Sequence, residues 1–199
     1  MSCNSAVLSY RTSIGLNPKH DKHYSVKNPS HAEGPLRITT VIEHLKKCGL
    51  WSRCNIIEEH SAVDEGDLKE THSQSYIDSI VQLKNQPQEL IDKFAEQFDT
   101  IYLRPESYEA AAEAVSCARN LATLIAEGKI PNGFALIRPP GHHAQKNEAS
   151  GFCVFNNVAQ AAEAAYNFGS NRILIVDFDV HHGQGIQQSF YEDKRYVTI

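Results

Sequence analysis

The feature that most limits what this chain can fold into is the run Ile173, Leu174, Ile175, Val176, four aliphatic residues in a row between Arg172 and Asp177. A strand with one wet face alternates apolar and polar residues, so an unbroken run belongs to a strand covered on both faces. That is the arrangement of a parallel sheet between helix layers. Other segments repeat the theme: "AVLSY" at 6–10, "NIIEEH" at 55–60, "GFALIRP" at 133–139 and "RYVTI" at 195–199 read as strands. Helical periodicity fills the spaces between them. In "LRITTVIEHLKKCG", Leu36, Val41, Ile42 and Leu45 recur at helical spacing before Gly49 ends the pattern. "SYIDSIVQL", "PQELIDKFAEQF", the Ala-rich segment from Ser107 to Gly128, "NNVAQAAEAAYNFG" and "GIQQSFYED" follow as helices, while "KNQPQE" and "SAVDEGD" read as surface loops. The expectation is one α/β sandwich with a mainly parallel sheet.

Charge and cysteine usage narrow the function. A net charge of −5 with no Lys/Arg stripe argues against tracking a nucleic-acid backbone. The five cysteines, Cys3, Cys48, Cys54, Cys117 and Cys153, are scattered and form no Cys-x-x-Cys pair, so they signal neither a disulfide framework nor a zinc knot. No apolar segment approaches the length of a bilayer span. A soluble protein of the cytosol or nucleus, meeting proteins or small molecules, is expected.

In open α/β sheets, ligands bind beyond the carboxyl ends of the strands. Asp177, Asp179 and His181 sit at every second position as the aliphatic strand runs out, which in an extended chain puts them on one face. Two carboxylates and an imidazole at a buried strand end would repel and suffer desolvation, so a cation among them is expected. Mg²⁺ with phosphates is one reading, and a carboxylate with an imidazole suits Zn²⁺ better. The pair His142–His143 follows "FALIRPP" and so arrives at the same sheet edge, bringing proton carriers to the metal, while Gly151 permits close backbone approach. The other histidines, His20, His23, His31, His44, His60 and His72, read mostly as surface or satisfied core residues.

"RPPGHHA", "GFCVFNN" and "ILIVDFDVHHGQG", with "SHAEGPLRI" and "THSQSYI" before them, closely resemble the class II zinc-dependent histone deacetylases, especially the tubulin-deacetylase-like branch. Bacterial acetylpolyamine amidohydrolases and acetoin-utilisation proteins are more distant relatives. The resemblance implies an arginase-like three-layer α/β sandwich and zinc-dependent removal of acetyl groups from lysines of histone tails, tubulin or another protein. It makes Asp179 and His181 two of three zinc ligands and His143 the general base. His142 becomes an electrostatic partner oriented by Asp177. Phe152 resembles a wall of the lysine channel, Gly151 the residue whose carbonyl receives the acetyl-lysine amide, and Arg37 a buried arginine lining the acetate exit path. Backbone carbonyls around Asp177, Asp179 and His181 match a site for a monovalent cation, K⁺.

Two departures accompany these matches. Gln184 stands where the family commonly has Asp or Asn, and a neutral amide leaves His143 less basic if it reaches the ring. The family's third zinc ligand and its oxyanion-binding Gly-Gly-Tyr belong after Ile199, so residues 1–199 read as the N-terminal portion of a deacetylase catalytic domain, truncated and inactive by itself. Its unfinished sheet edge would invite association. A non-catalytic binding or regulatory fragment and an acetylpolyamine deacetylase are the alternatives. A binuclear manganese hydrolase would need a second carboxylate cluster beside the first, and the sequence offers only a single cluster.

Overall fold

The structure is a computed structural model that describes residues 11–199. The strand expected at 6–10 lies outside the described residues, as does Cys3; the first described strand is β1 (Ser13–Leu16). After it come α1 (Leu36–Lys47), β2 (Asn55–Ile57), α2 (Glu65–Leu68), α3 (Gln74–Gln82), α4 (Gln88–Ala95), α5 (Ser107–Ala126), β3 (Gly133–Leu136), α6 (Asn157–Asn167), β4 (Ile173–Ile175), α7 (Gln184–Phe190) and β5 (Tyr196–Thr198).

Every pairing among these strands is parallel. The order β2-β1-β3 forms one sheet, with Ile14 opposite Ile56 and Phe134, and β4-β5 forms another, with Ile175 opposite Thr198. In β1, alternation sorts the faces. Ile14 and Leu16 pack with Ile38, Ile42 and Leu45 of α1, whereas a Cβ on Gly15 would come within 2.6 Å of Cys117 Sγ on α5. Helices therefore cover both faces of this sheet.

The aliphatic run behaves differently from the double cover expected of it. Ile173 and Ile175 pack with Ala159 and Ala162 of α6, with Ile186 and Phe190 of α7, and with Tyr196. The opposite face is open, and Leu174, Val176, Val197 and Ile199 are exposed there. Among the described residues no strand joins β3 to β4, so the two sheets are separate, and the packing of α6 and α7 covers a single face of β4.

Local chemistry sets the helix ends. Ser73 and Asn156 cap α3 and α6 by accepting the amides of Tyr76 and Ala159. "SAVDEGD", read as a loop, includes the start of α2. The Asp64 side chain accepts from Asp67 N–H while the Asp67 side chain accepts from Asp64 N–H, a reciprocal cap strong enough to close a single turn. A core of Leu68, Ile77, Ile80, Ile91, Val115 and Phe155 joins α2, α3, α4 and α5 to the segment before α6.

Candidate active site

Two chain segments converge beyond the carboxyl ends of β3 and β4. From β3 the chain runs through Arg138 and two prolines to His142 and His143, whose rings lie 3.9 Å apart between centroids. From β4 it runs to Asp177, which accepts from His142 Nδ1 at 2.9 Å. A carboxylate only accepts, so Nδ1 carries a proton. Gly183 makes the contact possible, because a Cβ there would lie 2.2 Å from the Asp177 carboxylate.

His143 is held separately. Its Nδ1 lies 2.7 Å from Gln184 Oε1, so the long amide does reach the ring, and this Nδ1 carries a proton too. Gln184 opens α7, and its Nε2 lies 3.5 Å from Ser150 Oγ. One histidine is thus oriented by a carboxylate and its neighbour by a neutral amide.

Asp179 and His181 continue the alternation past the end of β4, through turns in which each aspartate accepts a backbone amide two residues on. Asp179 N–H donates to Asp177 Oδ1 at 3.2 Å and His181 N–H to Asp179 Oδ1 at 2.8 Å. That amide bond is the main cause holding the Asp179 carboxyl below its usual pKa. Asp179 Oδ1 and His181 Nδ1 are 3.0 Å apart, and the His143 and His181 rings lie 6.0 Å apart. The burial argument for a cation needs correction here. The Asp179 and His181 side chains are 47% and 73% exposed, because β4 is covered on one face only, and water solvates them.

The donors suit Zn²⁺ in kind. A carboxylate and an imidazole are both donors that zinc sites use, and His181 Nδ1 would have to give up its hydrogen bond to Asp179 to serve as one. Their number is lower than a catalytic site uses. Among the described residues no group of three or more His, Cys, Asp or Glu side chains forms a metal cage. Two cavities flank the pair. One of about 440 Å³ is lined by Asp177, Asp179, His181 and Gly183, the other of about 580 Å³ by Arg37, Gly141, His142, Asp177 and Asp179.

Gly151 and Phe152 form a short backbone wall that meets His143. Both have positive φ, 51° and 68°, and their amides donate to the carbonyls of Asp99 and Thr100 at 3.0 and 3.1 Å. A Cβ on Gly151 would sit 2.2 Å from His143 Cδ2, so the wall rests directly on the imidazole. The Phe152 ring meets His31 edge-on at 4.9 Å. His31, read from the sequence as a surface or core residue, therefore borders this wall.

Arg37 lines the second cavity, but its side chain is 41% exposed and not buried; it donates to Ile137 O at 2.8 Å. The fully buried arginine is Arg138, unrecognised in the sequence. It binds both Glu33 carboxylate oxygens, at 3.0 and 2.6 Å, along with the Tyr102 hydroxyl and the His20 carbonyl. Burial alone would raise the Glu33 pKa, yet Arg138 and the Tyr102 hydroxyl hold it below the usual range. An arginine closing a strand and a glutamate in "SHAEGP" were the available signals. Cys153, in "GFCVFNN", is buried, and burial pushes its thiol pKa up to about 12.

Parallel strands thus end in paired imidazoles, each held through Nδ1, beside a carboxylate–imidazole donor pair. Comparison with known proteins supplies the family. The histone deacetylase domain matches residues 31–199, and the chain belongs to the histone deacetylase family, whose members are deacetylase hydrolases; its likeness is to the class II type. It is 41% identical over 186 residues to histone deacetylase 6 of Caenorhabditis elegans, a match covering 94% of this chain and 20% of that protein. It is also 41% identical over 162 residues to human polyamine deacetylase HDAC10, covering 81% of this chain and 24% of that protein. The crystal structure of the HDA15 HD domain matches with a TM-score of 0.84 and 32% identity, over 96% of this chain and 52% of that one. The fold is thus the arginase-like α/β fold of deacetylase domains. The chain spans about a fifth to a quarter of the length of these curated relatives. No helix among the described residues is long and apolar enough to cross a membrane.

Proposed function

We propose that this chain carries the proton-handling part of a zinc-dependent protein lysine deacetylase site, the N-terminal portion of the catalytic domain. The carrying observation is the double orientation of the histidine pair, His142 on Asp177 and His143 on Gln184. With Nδ1 protonated, His143 presents Nε2 as a base that takes a proton from the attacking water. As the acetyl C–O bond forms and the C–N bond breaks, the same nitrogen returns a proton to the departing lysine amine. The products are acetate and free lysine. His142, tied to Asp177, stabilises charge beside it. Asp179 and His181 are the residues that would hold Zn²⁺, which when bound polarises the acetyl carbonyl and acidifies water. Gly151 offers its carbonyl to the acetyl-lysine amide, and Phe152 walls the side-chain channel. Arg37 borders the acetate path, and K⁺ is assigned to carbonyls around Asp177, Asp179 and His181.

Protein substrates such as histone tails or tubulin, in the cytoplasm or nucleus, are the first reading. Deacetylation of acetylpolyamines is the second, favoured by the likeness to polyamine deacetylase HDAC10. Association is assigned to the unfinished sheet edge at β5, where Val197 and Ile199 are exposed.

The test is zinc-dependent acetate release from an acetyl-lysine peptide and from N-acetylspermidine. A domain that joins these residues to a third ligand and an oxyanion donor is expected to turn over, and to lose 100-fold or more, about 3 kcal/mol, in His143→Ala. Residues 1–199 alone are expected to show no turnover and weak zinc binding. Unchanged activity in His143→Ala, or turnover by residues 1–199, contradicts the assignment.

A further inference from the structure

His72, in "THSQSYI", is buried between α2 and α3 and takes no part in the chemistry above. Its Nδ1 lies 2.9 Å from the Gln145 carbonyl, which only accepts, so that nitrogen is protonated. Its Nε2 receives the backbone N–H of Asn156 at 3.0 Å, so that nitrogen is bare. Both ring atoms are committed and the tautomer is fixed. Tyr76 and Phe155 pack against the ring, with centroids 5.6 and 5.3 Å away.

The two segments joined in this way are the ones that form the site. Gln145 lies two residues after His143, and Asn156 closes the segment that begins with Gly151 and Phe152. Neighbouring bonds run parallel: Ser73 N–H donates to Lys146 O at 2.8 Å, and Asn156 Nδ2 donates to Ala144 O at 3.1 Å. The space between the segments has no slack, since a Cβ on Gly151 would lie 2.2 Å from the His143 ring.

We propose that His72 is a positioning residue: its neutral ring sets the spacing between the loop carrying His143 and the segment carrying Gly151 and Phe152, keeping the base seated on the Gly151 backbone. Its functional meaning rests on His143 being the base. Its test requires no turnover, so a failure of either claim is visible separately.

The isotope-labelled 199-residue chain is compared with His72→Phe, His72→Asn and His72→Gln by nuclear magnetic resonance. In His72→Phe, the nuclear Overhauser contact between His143 Hδ2 and Gly151 Hα is expected to vanish, and the Asn156 amide to exchange about tenfold faster, while β1 amides stay protected. His72→Gln places an acceptor where Nε2 was and should restore Asn156 protection. His72→Asn keeps only the donor to Gln145 and should not. A folded His72→Phe that keeps the contact and the protection overturns the proposal. If that variant does not fold, equal Asn156 exchange in the Asn and Gln variants overturns it.

Discussion

Gly151→Ala probes the contact between the Gly151 backbone and the His143 ring. The new Cβ would lie 2.2 Å from His143 Cδ2 and 3.0 Å from its Nε2. Carbon atoms in ordinary contact stand about 3.5 Å apart or more, so the ring or the backbone must shift by over about 1 Å. Neither moves freely. His143 Nδ1 is bonded to Gln184 at 2.7 Å, and Gly151 N–H to Asp99 O at 3.0 Å. Placing alanine at φ 51° costs about 1 kcal/mol. Breaking one of these hydrogen bonds costs about another 1 kcal/mol, and repacking a similar amount, giving about 3 kcal/mol in total. Gly128→Ala supplies the control, since Gly128 has φ 69° and a Cβ there would meet nothing within 4 Å. It should cost only the backbone part, about 1 kcal/mol. Urea unfolding with an m-value of about 2 kcal/mol/M should then separate the two midpoints by about 1 M. Coincident midpoints, with the His143 ring signals unmoved by Gly151→Ala, would refute the packing argument.

Other outcomes follow from the same geometry. Gln184→Leu keeps volume and removes the acceptor at His143 Nδ1, so turnover of an active domain should fall about 10- to 100-fold and the ring should populate both tautomers, visible in its ¹⁵N shifts. Glu33→Gln leaves the guanidinium of Arg138 buried without its carboxylate and should lower unfolding stability by about 3–5 kcal/mol, read by denaturant titration. Acid should unfold the chain early. Burial lowers His72 from 6.5 to about 4 and His23 to about 3, so the unfolded state binds protons first as pH drops below 6.5. Their stabilisation is complete above pH 6.5. It is lost downwards through pH 4 and 3, about 3 kcal/mol for His72 at 1.36 kcal/mol per unit. Thermal melts from pH 7 to 4 should show this fall, and it should shrink in His72→Gln.

The parts of this fold readable from the sequence were those set by local periodicity. The runs ending at Leu136 and Ile175 declared strands, and the ends of those strands located His142 and Asp177. Relations across long stretches of chain were not readable. Arg138 and Glu33 are 105 residues apart, and nothing near either shows that they meet. Whether Gln184 reaches His143 depends on how the first turn of α7 packs under the histidine loop, which spacing does not encode. The exposure of Asp179 and His181 followed from a property of the whole sheet, the open face of β4, so an argument from an aliphatic run alone overstated their burial. Asp64 and Asp67 escaped notice because their cap closes a turn too short to show periodicity.

Titrating Zn²⁺ into the histidine-labelled 199-residue chain tests most directly whether one segment holds a metal while the other stands ready beside it. As zinc is raised to excess the His181 ring signals should move, with those of His143, 6.0 Å away, moving in step, and Asp179→Asn should abolish both responses. Zinc that instead shifts His44, whose Nε2 lies 3.4 Å from Sγ of Cys48 just past the end of α1, or that shifts His181 and leaves His143 unmoved, would contradict the account.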